Sequence, residues 1–388
     1  MVASCARSTK AHLEFQVPFE QFYQTKLSGP DRYLQLLAEV GNICIPGSER
    51  SVDVNVCLGL ASTFGNINLV NYFLYKGATN LSLALIKAAA NGRFDIIQYL
   101  VSLIPKNRII PINVLRETLN TAVASQHLQI VKYLIDLSNL FKQRDSSYDF
   151  PSIDDLNVAL EISALVGNIQ LFDYLVSLGA NNLNNTLLLA AQNNQKKLVL
   201  HIIDLARKIN YDLDLTYALT GAASGGSKEL IDYLLIHPTF SDVNILNRAL
   251  YSAAHGGQKG IIDYLLSLGA NNINEILSGA SYGGHRELVD YALSLGSVSC
   301  ATATNLNDAL TNAAFGGNIE LLPYLISLGS VSCATAVNLN EALFAAIEGN
   351  QLETIKYILT QGSRLKQQYP GLILPTAEES ERGLRFVG

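Results

Sequence analysis

The chain has 388 residues, 49% hydrophobic and only 15% charged, with 33 acidic against 27 basic side chains and a formal charge of -6. This excludes a disordered polar chain, and it argues against nucleic acid as main partner, since phosphate binding needs clustered basic charge. At roughly 150 residues per domain, length alone implies two or three globular domains. One total stands out: 32 asparagines, more than all Lys and Arg together.

From the N-terminus, residues 1–23 show no apolar run of signal-peptide length, and no stretch approaches 18 consecutive apolar residues. The expectation is a cytoplasmic protein, or a nuclear one, with no membrane partner. Residues 1–50 are read as an N-terminal segment forming a helical cap. Within it Pro30 to Val40 is one helix, stopped by Gly41-Asn42. The apolar-aromatic run Phe15 to Tyr23 is a cap strand or helix, with a docking motif as the alternative.

Residues 51–363 are periodic. The segments FDYLVSLGANN, IIDYLLSLGANN, LVDYALSLGS and LLPYLISLGS share one pattern around a tyrosine. Anchoring on that position gives ten units, at Tyr72, Tyr99, Tyr133, Tyr174, His201, Tyr233, Tyr264, Tyr291, Tyr324 and Tyr357. Their successive spacings are 27, 34, 41, 27, 32, 31, 27, 33 and 33. Fourteen residues before every anchor stands a leucine, from Leu58 and Leu85 through to Leu310 and Leu343. A fixed offset within units of variable spacing means a rigid unit joined by variable connectors.

Each unit reads as a helical hairpin. Seventeen residues before the anchor, Asn55, Asn157, Asn184, Asn247, Asn274, Asn307 and Asn340 form a column, with Ser82 and Thr216 as substitutes and Arg116 breaking it. After an apolar residue, these side chains are expected to cap the first helix. Small pairs such as Ala88/Ala89, Ala253/Ala254 and Ala313/Ala314 follow, and a Gly/Asn turn such as Gly256-Gly257 ends the helix. A second amphipathic helix (Leu288, Tyr291, Ala292, Leu295) stops in six units at glycine: Gly77, Gly179, Gly269, Gly296, Gly329 and Gly362. One hairpin cannot cover its own apolar face, but stacked hairpins can. The connectors around Pro105 to Pro111, and Leu137 to Asp155 with its polar run KQRDSSYD, are expected to protrude. Residues 364–388 lose the period and are read as a C-terminal cap and tail.

Residues such as AAFGGNIELLPYLISLGS (313–330) resemble the second half of the ankyrin repeat, and the spacing of 33 in the last units agrees. The resemblance covers about 55 to 362. The family's Thr-Pro-Leu-His opening is replaced by Ala-Leu, as in Ala249-Leu250 and Ala309-Leu310. It implies an all-α, ankyrin-like solenoid of about ten helix-turn-helix repeats. A spacing of 27 leaves the β-hairpin fingers short or missing. The SLGANN endings with paired-glycine turns look most like ankyrin-repeat proteins encoded by large DNA viruses of amoebae.

The searched-for chemistry is sparse. The cysteines (Cys5, Cys44, Cys57, Cys300, Cys333) form no Cys-x-x-Cys and are expected to be free thiols, Cys300 and Cys333 lying at equivalent places in adjacent units. The histidines give no zinc spacing, and His285 is read as structural. Gly221 to Ser227 has the glycine spacing of a P-loop but Ser227 where lysine is required. Asp232, Asp263 and Asp290 share the column before the anchor, read as a solvated acidic stripe rather than an acid–base pair. No cofactor, metal or enzymatic activity is expected.

The resemblance implies a protein partner held by connector tips and the exposed side of the first helices. The position after the small pair reads Thr63, Ala90, Ala124, Leu165, Gln192, Ser224, His255, Tyr282, Phe315 and Glu348. Leu165, Gln192, His255, Tyr282 and Phe315 are the candidate partner-binding residues, since stacked aromatics favour interface hot spots. The alternative for the rings is packing among themselves. The expected role is a monomeric interaction scaffold. The alternative is a substrate-recruiting adaptor of the ubiquitin-ligase type, or a host-factor modulator, docking through either terminal segment.

Overall fold

The structure, a computed structural model, describes residues 53–105, 108–236, 242–295, 303–332, 338–368, 372–376, 381, 382 and 385. The expected Pro30 to Val40 helix, the Phe15 to Tyr23 run, Cys5, Cys44, Cys300 and Cys333 lie outside these residues. Every regular element among the described residues is an α-helix. The chain forms two compact units, residues 1–103 and 104–388.

In the first unit, α1 (Val54–Phe64) and α2 (Ile67–Tyr75) make one hairpin, and α3 (Leu81–Ala90) and α4 (Phe94–Ser102) the next, with α1 packed on α3. The second unit holds eight hairpins: α5 (Ile112–Ala124) with α6 (Leu128–Arg144), α7 (Ile153–Val166) with α8 (Ile169–Ser177), α9 (Leu183–Gln192) with α10 (Lys196–Lys208), and α11 (Thr216–Ser224) with α12 (Lys228–Leu235). They continue as α13 (Val243–His255) with α14 (Lys259–Ser267), α15 (Ile273–Gly283) with α16 (Arg286–Leu295), α17 (Ala303–Phe315) with α18 (Leu321–Ser332), and α19 (Leu339–Glu348) with α20 (Leu352–Gln368). Each odd-numbered helix from α5 to α19 packs on the next, which is the nearest-neighbour stacking of an ankyrin-like helical solenoid.

The sequence columns map directly onto this packing. All ten column leucines are buried, none more than 2% exposed, and the alanine pairs that follow are fully buried. Small residues let consecutive first helices approach closely. Seven residues before each anchor the backbone turns left-handed, at Gly65, Gly92, Gln126, Gly167, Asn194, Gly226, Gly257, Gly284, Gly317 and Asn350. Only Gly and Asn, with one Gln here, adopt that conformation cheaply.

The asparagine column does something other than capping. Side chains that cap first helices belong to Asp53, Asn80, Ser152, Asp242 and Asn338, all outside the column. The column asparagines lie inside the helix and reach the following connector. Asn55 Oδ1 accepts from the Thr79 and Asn80 N–H groups (2.8 Å each), Asn157 from Asn181 and Asn182 (2.8 and 3.1 Å), and Asn247 from Asn271 and Asn272 (2.9 and 3.0 Å). Asn184 and Asn307 do the same for Asp214 and Asn338 (3.0 Å each). Arg116 fills the position with an ion pair to the buried Asp155, at the entry of α7. Burial opposes the charge on Asp155, but Arg116 and Ser152 hold its carboxyl below the usual carboxylate range.

Two further expectations change. The connector between α6 and α7 does not protrude: α6 extends to Arg144, and Tyr148 and Phe150 fold back into the core. Tyr148 packs edge-on against Phe141 and donates to the Ile110 carbonyl at 2.9 Å. Second helices stop before Gly77, Gly179 and Gly269, but α18 and α20 run through Gly329 and Gly362, and Gly296 lies outside the described residues. Beyond α20, Leu372 is buried, Leu339 N–H donates to the Ile373 carbonyl, and Thr376 N–H donates to Asn340 Oδ1 at 2.9 Å. Residues 372–376 thus meet α19 as a connector meets its repeat elsewhere.

The turn glycines carry a sharp test. A Cβ on Gly256, whose φ is ordinary, would stand 2.0 Å from the Ser224 carbonyl oxygen, whereas one on Gly260 meets nothing within 4 Å. Gly256→Ala is expected to destabilise by about 1–3 kcal/mol. Gly260→Ala, in the first turn of α14, is expected to stabilise by about 0.5–1 kcal/mol. Asn247→Ala, which removes two hydrogen bonds to exposed or half-buried connector N–H groups, is expected to cost about 0.5–1.5 kcal/mol. Denaturant unfolding of the three variants checks all three signs.

Candidate protein-interaction face

The first helices end on the column that holds Leu165, Gln192, Ser224, His255, Tyr282 and Phe315. Each side chain follows two buried positions, so helical geometry aims it away from the stack. Leu165 is 41% exposed, while Gln192, His255, Tyr282 and Phe315 are half-buried. The structure joins some of them directly. Gln192 Nε2 donates to Ser224 Oγ at 3.3 Å. The His255 and Tyr282 rings meet edge-on with centroids 4.7 Å apart, and Tyr282 lies tilted on Phe315 at 5.7 Å. The rings do pack on one another, and they still keep a face to solvent. Leu165 shares the register without touching the rings.

The backbone beneath these side chains is fixed by the next repeat. Gly225, Gly256, Gly283, Gly316 and Gly349 leave only hydrogen where a Cβ would strike the carbonyl oxygens of Gln192, Ser224, His255, Tyr282 and Phe315, at 2.0–2.4 Å. Side chains of the turn reach the same carbonyls: Asn318 Nδ2 donates to the Ser281 and Tyr282 oxygens (3.0 and 2.6 Å). His285 Nε2 lies 2.9 Å from the His255 oxygen. A carbonyl only accepts, so that nitrogen carries the proton, the structural role read for His285. Ser227 Oγ donates to Asn194 Oδ1, tying the glycine-rich turn to the preceding repeat.

The face is wider than one residue per helix. Residues seven and four positions earlier share that face, because seven residues are almost two turns. On the last four first helices, whose column ends on His255, Tyr282, Phe315 and Glu348, they include Arg248, Tyr251, Glu275, Asp308, Glu341 and Phe344, intermediate or exposed. The seven-residue offset was the signal that could have found them. Burial pushes the Glu275 carboxyl up, and Asn272 Nδ2 donates to it at 3.3 Å. Tyr251 is raised by burial, then by Tyr282 and Glu275, which places these three groups together.

The aspartate column on the second helices is a different construction. Tyr264 donates to Asp232, Tyr291 to Asp263 and Tyr324 to Asp290, each from the following repeat. Lys228 and Lys259 pair with Asp232 and Asp263 at 2.8 and 3.0 Å, and with Arg286 they lie over the three tyrosine rings, 4.1 Å from each centroid. Asp263 in turn pushes Tyr291 up to about 12. Each carboxylate serves an inter-repeat contact and none faces another, so the column is a ladder rather than a bare solvated stripe. Pro323, the missing rung, supplies no N–H to the Ile319 carbonyl, which accepts from Leu322 instead.

Residues 58–145 and 187–275 match the family model for ankyrin repeats, described as three copies. These two stretches are similar to ankyrin repeats. Both matched stretches open on a column leucine, Leu58 or Leu187, and together they span six of the ten anchors. No curated protein matches the chain. Of the ring column, His255 lies within a matched stretch, while Tyr282 and Phe315 lie beyond it.

His255 gives this face a pH signature. Burial, then the charge on His285, lowers its pKa below the usual histidine value. The unfolded chain therefore takes up the proton first as pH falls. His255's contribution is fully present above about pH 6.5 and is lost as pH drops through the folded-state pKa. His255→Gln is expected to flatten this part of the stability profile. Thermal melts between pH 7.5 and 5 check it: the parent must lose stability relative to the variant over that interval.

Proposed function

We propose that this chain is a non-enzymatic protein-interaction scaffold. It binds a protein partner through the face bearing Leu165, Gln192, His255, Tyr282 and Phe315 and through its connector tips. Ankyrin repeats are general protein–protein interaction modules, which supports a protein as partner. The observation that carries the reading is the half-exposed ladder His255–Tyr282–Phe315, with backbones held from the next repeat. Amphipathic rings pinned on rigid elements are what interface hot spots use. Among the described residues no group of His, Cys, Asp and Glu is arranged to hold a metal, and no helix is long and apolar enough to cross a membrane. The scaffold acts as a monomer in the cytoplasm. The repeat style favours a source among large DNA viruses of amoebae, with the host cytoplasm as the compartment.

Affinity purification with the parent and the double variant Tyr282→Ala/Phe315→Ala tests this. The variant is expected to lose partner capture at a stability cost of about 1–3 kcal/mol, chiefly the ring–ring contacts. Undiminished capture by the variant, or a collapse of its melting transition, would overturn the reading and assign the rings to the core.

A further inference from the structure

The inner and outer sides of the second unit treat their acids differently. On the second helices, Asp232 and Asp263 each have a lysine and a tyrosine hydroxyl, and Asp290 has a hydroxyl beneath Arg286. On the first helices of the last four repeats, Glu275, Asp308, Glu341 and Glu348 occupy two columns of the ring-bearing face. None of these four has an ion-pair partner among the described residues, where Arg248 is the one cation in the same columns. Interleaved with them stand Tyr251, Tyr282, Phe315 and Phe344. Aromatic faces flanked by carboxylates suit a cation twice over, through the ring quadrupole and through charge.

The chain shows this chemistry once within itself. Arg382 lies over the Phe344 ring, 5.0 Å from its centroid. Phe344 is 37% exposed and stands in the column four residues before Glu348. An arginine thus already stacks at the end of the face.

We propose that the first-helix face from α13 to α19 binds an extended, arginine- or lysine-bearing segment of a partner protein, which rests on the reading of this face as the partner surface. The partner's cations stack on Tyr282 and Phe315 and pair with Glu275, Asp308 and Glu341, as Arg382 stacks on Phe344. Two features fit. His255 is held neutral near pH 7 and does not repel a cation. Glu275, desolvated by its neighbours, recovers a countercharge on binding.

Fluorescence anisotropy on the full chain, with a short labelled peptide of alternating arginine and glycine as probe, tests this. Binding is expected, and it is expected to weaken as salt rises, a readout on the parent that no folding defect confuses. Affinity is expected to fall about tenfold or more in Glu275→Gln/Asp308→Asn/Glu341→Gln and in Tyr282→Ala/Phe315→Ala. It is expected to change less than about twofold in Asp204→Asn/Glu287→Gln/Glu320→Gln, which removes the same charge from second helices and connecting turns. Equal losses from the two charge-removing variants, or full affinity in the aromatic variant, overturn the proposal. A probe that does not bind, while Tyr282→Ala/Phe315→Ala still loses its partner, overturns the basic-segment chemistry and leaves the interaction face standing. If capture survives in that variant as well, both readings fall.

Discussion

Everything in the array depends on how a connector without a β-hairpin satisfies its backbone N–H groups. Each such hydrogen bond is worth about 0.5–1.5 kcal/mol, and here two N–H groups arrive together at a repeat entry with no strand to receive them. One asparagine amide in the preceding helix accepts both, at 2.8–3.1 Å for Asn55, Asn157 and Asn247. The amide oxygen has two lone pairs and its position on the helix is fixed, so it sets where the next helix begins. That is why asparagine outnumbers the basic residues in a chain whose first-helix caps are shared with Asp and Ser.

Once the entry is fixed, the approach of neighbouring repeats is set by what the turn omits. A glycine such as Gly256 or Gly316 lets its backbone come within a missing Cβ of the previous repeat's carbonyl. The carbonyls it meets belong to Ser224 and Tyr282, the residues whose side chains form the candidate face. Turn chemistry and surface chemistry are therefore one system. The glycine and the turn side chain hold the backbone, and the ring is left free to face outward at a spacing short enough to touch its neighbour. A looser turn would separate His255 from Tyr282 and dissolve the ladder.

The leucine column, the small pairs and the left-handed turns were legible in the sequence because each depends on a narrow choice of residue at one offset. The asparagine role was not. A column says that a side chain is needed and not whether it serves its own helix or the next connector, and a shift of two or five residues separates the two. The fold-back of Tyr148 and Phe150 was hidden for another reason: two aromatics inside the polar run KQRDSSYDF read as exposed, yet Phe150 is buried and Tyr148 finds its partners in Phe141 and Ile110. The candidate face was half legible. Leu165, Gln192, His255, Tyr282 and Phe315 came from one column, while Glu275, Asp308 and Phe344 needed the helical pitch as well.

The contrast between the two sides of the hairpins says what kind of surface the first-helix face is. The second-helix ladder uses Asp, Tyr and Lys or Arg to bind repeat to repeat, and its three groups offset one another locally. The first-helix face uses the same residue types without closing them: Glu275 keeps a pushed-up carboxyl, and Glu341 and Glu348 meet no cation among the described residues. A desolvated carboxylate costs folding stability, and glutamine there would retain the Asn272 hydrogen bond without the charge. Glu275 and Glu341 stand in the first turns of α15 and α19, where the helix dipole offsets part of that cost, so this face can carry carboxylates that no cation pairs.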